Sequence, residues 1–304
     1  MPVSNRYLLE QWPTVVAMGR AALRGAVTRR ERALSKDEAS LRELYVERPP
    51  LPPALVADYI RHVGCDPAAW AGDLPTHLFP QWVFPLQLRL LEGLGVPLAR
   101  ALNAGARLES ERPLPADETL LVRAWLDTVD DRDGRVTLRV ASSTGTASAP
   151  NALRAEMTLL MRRSHKKSGA ARVEAQVPAD AQELGRLHIP ARAGMDFARL
   201  TGDLNPVHWL SPYARALGFR HVINHGFSSM ARTMEVLIRE RHASDPRALG
   251  AFQCRFTRPL LLPADVGVFM RGQDVSLGAG PNQPTYLEAH ETPKGAGGAE
   301  VIHD

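Results

Sequence analysis

The sequence predicts an α+β protein made of two similar units, each with one long helix and several antiparallel strands. Two observations predict this class. The segment ERPLPAD at residues 111–117 recurs at residues 257–265 as TRPL followed by PAD, with two extra leucines between them. A helix with an apolar stripe precedes each copy by a similar distance, and an apolar strand follows each copy. The order of one helix and then several strands occurs twice along the chain. This repetition indicates two units, each with a sheet packed against a helix.

The chain begins with a predicted helical extension, residues 1–35. Its helix covers residues 7–34, opens near Pro13 and carries five arginines among apolar residues. Basic amphipathic helices can lie on membrane surfaces, so peripheral membrane contact stays open, but we favour a helix packed against the rest of the protein. The segment lacks the uninterrupted apolar run of a signal peptide or membrane span.

The first predicted unit covers residues 36–165. Its long helix is expected to start at Phe84, because Pro85 would then occupy a favoured position in the first turn. The acidic turn at residues 131–134 ends in glycine and predicts a hairpin between two strands. The remaining predicted elements are a strand at 41–48, a helix at 54–63, an irregular stretch at 70–82, and strands at 104–111, 119–128, 135–142 and 153–162.

A polar linker at residues 166–180 separates this unit from the second, residues 181–304. The second unit is expected to start with a strand at 183–189 and to place its long helix after His225-Gly226. Strands at 251–257, 266–272 and 285–291 follow, and a glycine-rich tail from residue 292 is expected to be frayed.

Composition excludes several classes of protein. With 44% hydrophobic and 23% charged residues, the 304-residue chain is typical of a globular protein. Cys65 and Cys254 are the only cysteines and have neither metal-binding nor disulfide spacing, so we expect a reducing, cytoplasmic compartment. The net charge of +4 favours acidic partners such as the phosphates of coenzyme A (CoA) or an acidic carrier protein. No base-reading motif accompanies the charge, so nucleic-acid binding is not expected; a homodimer is left open.

The most informative stretch lies between residues 197 and 234. A short helix at 197–200 leads into a turn that contains Asp203, and Asn205-Pro206 then keeps the chain extended because the residue before proline avoids the α region. This arrangement brings Asp203 and His208 together on one loop. A second short helix at 211–217 ends at Gly218.

These residues suit the movement of a proton next to a carbonyl while water is added or removed. A carboxylate and an imidazole can divide the acid and base work. The free N–H groups at the start of the helix after His225 can stabilise an enolate-like oxygen.

The stretch has a characteristic set of residues at fixed spacing: Phe197-Ala198, Thr201-Gly202-Asp203, Asn205-Pro206-Val207-His208, Ala214, Gly218-Phe219 and His225-Gly226. This set resembles the signature of MaoC-like hydratases, which include (R)-specific enoyl-CoA hydratases and 3-hydroxyacyl-thioester dehydratases. One departure is Leu210, where many members carry an Asp or Asn that can form hydrogen bonds within the loop.

The resemblance implies a double hot dog fold, in which each of two tandem units wraps an antiparallel sheet around a central helix. Only the second unit carries the Asp-x-Asn-Pro-x-His sequence, so the first would be a degenerate unit on the acyl-chain side. The implied activity is a hydro-lyase that interconverts trans-2-enoyl and (R)-3-hydroxyacyl thioesters of CoA or of an acyl-carrier protein. It requires no metal or redox cofactor. The rival interpretations are a hot dog protein that binds acyl thioesters without catalysis, and a hot dog thioesterase.

We predict that Asp203 and His208 are catalytic and that Gly226, Asn205 and Phe227 contact the substrate. The Gly226 N–H would hold the thioester oxygen, although this glycine could also serve only to let the chain enter the helix. The alternative for Asn205, which we favour, is that its side chain braces the loop through hydrogen bonds to the backbone. His221 and His225 have a metal-like spacing, but no Glu lies between them and we expect no metal. His77, in a His/Phe-Pro segment, could line an acyl tunnel or form a structural turn.

Overall fold

The computed structural model describes residues 3–12, 14, 16, 43–92, 101–132, 135–162 and 174–295. Within these ranges the chain forms one continuous antiparallel sheet of ten strands with helices packed on it. The helices are α1 (Tyr7–Glu10), α2 (Pro53–Val63), α3 (Pro80–Glu92), α4 (Ala193–Thr201), α5 (Ser211–Ala216) and α6 (Gly226–Arg241). The strands are β1 (Glu43–Arg48), β2 (Leu102–Ser110), β3 (Leu120–Arg132), β4 (Arg135–Gly145), β5 (Leu153–Arg162), β6 (Gln182–Ile189), β7 (Leu249–Phe256), β8 (Ala264–Arg271), β9 (Asp274–Gly278) and β10 (Thr285–Pro293).

The strand order shows that the two halves of the chain are built alike. The sheet runs β1-β3-β4-β5-β2-β7-β10-β9-β8-β6, so the first five strands and the last five follow the same order in mirror image about the centre. The halves meet where β2 pairs antiparallel with β7, from Gly105 opposite Arg255 to Glu109 opposite Ala251. Backbone hydrogen bonds therefore join the two halves directly.

The recurring segment occupies the same place in each half. In the first half the Leu74 N–H donates to the Leu114 carbonyl, and in the second the Asn224 N–H donates to the Leu260 carbonyl. Both contacts lie just before the long helix. Near the junction, the rings of Phe79 and Phe227 meet edge to face with centroids 5.2 Å apart. The two long helices, α3 and α6, thus begin next to one another.

Several predicted boundaries were wrong. Helix α3 begins at Pro80 rather than at Phe84, because Phe79 already has helical dihedral angles and its carbonyl accepts from the Trp82 N–H. Pro85 lies inside this helix, where it removes one backbone hydrogen bond. Strand β9 was not predicted at all, since it is short and follows β8 after only two residues.

The ends of the chain also differ from prediction. Strand β10 extends to Pro293, so the frayed tail cannot start at residue 292. The end of the predicted linker is ordered against β10, because the Thr285 N–H donates to the Ala175 carbonyl. Residues 17–34 of the predicted N-terminal helix and the basic run at 163–167 lie outside the described residues. None of the helices in the described ranges has the length and hydrophobicity that a membrane crossing requires.

Candidate active site

The site is built where α4 ends. Helix α4 stops at Gly202, which adopts a left-handed conformation with φ of 81°. The N-terminal segment packs tightly here: a Cβ on Gly202 would lie 2.7 Å from Gln11 Oε1 and 3.0 Å from Thr14 Oγ1. The Gln11 amide also donates to the Arg199 carbonyl at 3.0 Å. The start of the chain therefore braces the turn that immediately precedes Asp203.

A short 3-10 helix, Pro206–His208, carries the imidazole. The Asn205 side chain caps this helix by accepting a hydrogen bond from the Val207 N–H at 3.3 Å. His208 Nδ1 lies 2.9 Å from the Ile223 carbonyl oxygen. A carbonyl can only accept, so Nδ1 carries the proton and the Nε2 lone pair of neutral His208 stays available for a substrate or a water molecule.

A third residue, His225, joins the pair. Its side chain is only 1% exposed and its Nε2 donates to the Asp203 backbone carbonyl at 3.0 Å. The same nitrogen lies 3.9 Å from the Asp203 carboxylate. The His225 ring stacks on His208 with centroids 3.7 Å apart and planes at 27°. One imidazole therefore contacts both predicted catalytic residues.

Burial moves the pKa values of the pair toward each other. It raises the pKa of Asp203 above its ordinary value, although His208 and the Asn205 N–H act in the opposite direction. It lowers the pKa of His208, against the influence of Asp203 and the Ile223 carbonyl. A carboxylate and an imidazole with converging pKa values can exchange a proton at small cost. The pKa of His225 lies well below its ordinary value because this ring is enclosed, so it stays neutral.

The start of α6 forms the third side of the site. His225 precedes the helix without a side-chain cap, and among the described residues no acceptor contacts the N–H groups of Gly226 and Phe227. Free N–H groups at a helix start attract an anion or a polarised carbonyl oxygen. The site thus combines a carboxylate, a neutral imidazole and a helix N-terminus.

Asp203, His208 and His225 each place a potential metal-ligand atom within 4.8 Å of the others. Their geometry does not suit a tetrahedral ion. The lone pairs of an imidazole lie in the plane of its ring, and two stacked rings point theirs side by side rather than toward one centre. Each ring also uses one nitrogen to donate to a backbone carbonyl.

Comparison with known proteins identifies the second half of the chain. Residues 161–288 match a family profile described as MaoC like domain. These residues form a MaoC-like dehydratase domain. A relative, the 3-hydroxyacyl-thioester dehydratase X of Mycobacterium tuberculosis, is 25% identical over 242 residues, which cover 78% of this chain and 83% of the relative. The family and this relative support a hydratase or dehydratase activity.

Solved structures confirm the fold. The crystal structure of HtdX from Mycobacterium tuberculosis superposes with a TM-score of 0.66 at 23% identity, covering 82% of this chain and 99% of that one. A second Mycobacterium tuberculosis protein, described as having a double hotdog fold, gives a TM-score of 0.53 at 10% identity over 85% of this chain and 98% of its own. The predicted double hot dog fold is confirmed.

Within the MaoC-like domain, the structure brings together Asp203, His208 and the start of α6, as the sequence analysis expected. Asn205 braces its loop, which is one of the two roles considered for it. Phe227 is 2% exposed and packs edge to face against the rings of Phe79 and Phe256. A contact between Phe227 and substrate stays a prediction.

The side of Gly226 where a side chain would project is already occupied. A Cβ there would lie 2.7–3.0 Å from three carbon atoms of the Phe256 ring. A side chain at this position would therefore collide with the protein itself. Glycine at position 226 leaves room for the Phe256 ring.

The first half contains a degenerate copy of the catalytic loop. Helix α2 also ends at a left-handed glycine, Gly64, and Asp66 caps a following 3-10 helix, Pro67–Trp70. Cys65 follows Gly64 as Asp203 follows Gly202, so these two residues are equivalent. Ala69 lies two residues after Pro67, as His208 lies two residues after Pro206. Neither catalytic side chain is present in this copy, and burial raises the pKa of the Cys65 thiol to about 12.

His77 belongs to an internal network rather than to an open tunnel. It is fully buried, its Nδ1 lies 2.9 Å from the Tyr59 hydroxyl and its Nε2 lies 2.9 Å from Glu235 of α6. Trp70 also donates to Glu235, at 2.9 Å. These contacts favour the structural interpretation of His77.

Sequence reasoning placed His225 in the family signature and weighed it as a metal ligand with His221, but it did not predict the contacts with Asp203 and His208. His221 is exposed and lies outside the cluster of three residues. A signal was present in the sequence: His77-Leu78-Phe79 and His225-Gly226-Phe227 share a His-x-Phe pattern where the two long helices begin.

Proposed function

We propose that the protein is a hydro-lyase that interconverts trans-2-enoyl thioesters and (R)-3-hydroxyacyl thioesters. The observation that carries this proposal is the convergence of Asp203, the free Nε2 of His208 and the uncapped start of α6 at one site. The relative's activity on 3-hydroxyacyl thioesters supports the substrate class, and the (R) configuration follows from the family resemblance.

In the hydration direction, Asp203 and His208 hold a water molecule between them. One member of the pair accepts a proton as the water oxygen bonds to C3, and the C2=C3 electrons move onto C2 and the thioester oxygen. That proton passes to the other member, which delivers it to C2, so that the elements of one water molecule are added and both groups return to their starting protonation states. Because burial moves the two pKa values together, the same pair can exchange roles in dehydration.

The N–H groups at the start of α6 stabilise the enolate-like oxygen. A donor in such a position typically lowers the barrier by about 3–4 kcal/mol. The thioester itself acidifies C2, so the mechanism uses no metal or redox cofactor. The first half would form the wall around the acyl chain and part of the approach for CoA or a carrier protein.

The catalytic pair can be tested with crotonyl-CoA and a longer enoyl-CoA, by following the absorbance of the enoyl thioester. Asp203→Asn and His208→Ala should each lower kcat by roughly a hundredfold or more, the usual scale for general acid–base groups. The double variant should lose much less than the product of the two losses, because the pair acts as a unit. His221→Ala, which changes an exposed histidine outside the pair, is the control.

Near-wild-type hydration by either single variant would remove that residue from the mechanism. Chiral analysis of the product tests the stereochemistry, since an (S)-3-hydroxyacyl thioester would contradict the proposed configuration. Release of free CoA instead of loss of the enoyl absorbance would indicate the thioesterase alternative. Binding of acyl-CoA without either reaction would indicate the non-catalytic one.

A further inference from the structure

The contacts of His225 set it apart from an ordinary core histidine. It donates to the Asp203 carbonyl, stacks on His208 and packs against Phe197, with ring centroids 4.8 Å apart in the last contact. Its side chain is almost fully enclosed. A ring in this position reaches the catalytic residues but offers almost no surface to a substrate.

The equivalent histidine of the first half supplies a comparison within the same molecule. His77 occupies the same place before α3, and Tyr59 of α2 contacts it as Phe197 of α4 contacts His225. Both nitrogens of His77 have partners, the Tyr59 hydroxyl and the Glu235 carboxylate. His77 is thus held entirely by a structural network between the halves.

His225 lacks the equivalent network. Phe197 has no hydroxyl to offer, and His225 Nδ1 is buried without a hydrogen-bond partner among the described residues. Its other nitrogen is directed to the catalytic loop instead. Buried polar atoms are normally paired, so an unpaired one needs an explanation. The two histidines therefore differ in their partners: His77 is bound within a structural network, whereas His225 is bound to the catalytic loop.

We propose that His225 is a positioning residue for the catalytic pair. Its Nε2–H donates to the Asp203 carbonyl and so holds the backbone of Asp203 in place. Its ring stacks on His208 and so sets the orientation of that imidazole, whose Nδ1–H already donates to the Ile223 carbonyl. The inference rests on the proposed hydro-lyase function for its kinetic consequence, but the positioning itself is a property of the loop and can be measured without turnover.

Three variants separate the two contacts. His225→Phe keeps a ring against His208 and loses the donor, His225→Gln keeps a donor at similar reach and loses the ring, and His225→Ala loses both. We expect kcat for crotonyl-CoA hydration to fall about tenfold for Phe and Gln and about a hundredfold for Ala, the scale of misplaced catalytic groups. KM should change much less, because the substrate does not bind to this side chain.

The matched controls are His77→Phe, His77→Gln and His77→Ala, which change an equally buried histidine at the equivalent place in the other half. They should lower thermal stability and leave kcat largely unchanged. If the His225 variants lose kcat only in proportion to their lost stability, as the His77 variants would, or if folded His225→Ala keeps the wild-type kcat, the proposal is overturned.

Hydrogen–deuterium exchange distinguishes failure of the proposal from failure of the proposed function. In His225→Ala, amides of residues 203–209 should exchange faster than in the wild type, whereas His77→Ala should leave this loop unchanged. Unaltered protection of the loop in His225→Ala overturns the positioning role, whatever reaction the wild-type protein catalyses. A wild-type protein without hydration activity but with this exchange pattern would refute the hydro-lyase function and leave the positioning role intact.

Discussion

At the scale of single residues, the chain encloses several histidines in their neutral form. Burial, together with the positive charge of Arg232, lowers the pKa of His62 to about 3. Burial also lowers the pKa of His208, and that of His225 more strongly. In the unfolded chain these histidines have pKa values near 6.5 and bind protons below that pH.

We therefore predict that the protein loses stability as the pH falls below about 6.5. Between that value and its lowered folded-state pKa, each of these histidines is protonated only in the unfolded state, which costs at most about 1.4 kcal/mol of stability per pH unit. Asp203 acts in the opposite sense: its pKa is raised, so the folded state binds a proton above the ordinary value of 3.8 and stability falls as pH rises through that window.

Urea unfolding at pH 7.5, 6.5 and 5.5 measures this dependence. His62→Gln and His225→Gln should each flatten the slope of unfolding free energy against pH, and the exposed control His221→Ala should not. A wild-type protein equally stable at pH 7.5 and 5.5 would show that these histidines are not held neutral.

At the scale of elements, helix α6 links packing to catalysis at its first residue. Gly226→Ala places a methyl group against the Phe256 ring, and overpacking of this kind costs about 1–3 kcal/mol. We predict that this variant loses both thermal stability and turnover. Combining it with Phe256→Leu, which makes space, should restore most of the stability.

The space that Phe256→Leu creates also allows a test of whether the Gly226 N–H binds the thioester oxygen. Proline is tolerated in the first turn of a helix, so Gly226→Pro with Phe256→Leu should stay folded while the donor is removed. Its barrier should rise by about 3–4 kcal/mol, the typical cost of one lost donor, relative to Gly226→Ala with Phe256→Leu. Wild-type hydration by the folded proline variant would mean that the carbonyl is held elsewhere.

At the scale of the whole molecule, the degenerate half is part of the structure of the active half. Strand β7 pairs with β2, and Glu235 of α6 accepts hydrogen bonds from Trp70 and His77. Without the first half, β7 becomes an open edge and a buried carboxylate loses its partners. Unpaired edges and exposed apolar surface promote aggregation.

A fragment that starts at Gly169 should therefore be aggregated or inactive when expressed alone. Co-expression with residues 1–168 should recover soluble, active protein, because backbone pairing and buried side chains join the two halves. Size-exclusion chromatography measures aggregation, and the crotonyl-CoA assay measures activity. A soluble, monomeric and fully active fragment from Gly169 onward would contradict the dependence of one half on the other.

The sequence by itself determined the fold class, the order of most elements and the loop that carries Asp203 and His208. These features follow from local signals: apolar periodicity, the glycine that ends α4, and a proline that keeps the loop extended. Element boundaries that depend on packing against distant segments were harder to predict. At α3, for example, Pro85 lies inside the helix, whereas the sequence predicted it in the first turn.

Only the tertiary structure decided which side chains contact His77, His225 and Gly226. Whether a buried histidine is held by a structural network, as His77 is, or contacts a catalytic loop, as His225 does, depends on Tyr59 or Phe197 from another helix. The reason why Gly226 must be glycine depends on Phe256, a residue thirty positions away in the chain. Local sequence patterns fix backbone conformation, whereas hydrogen-bond partners and burial arise only when distant segments come together.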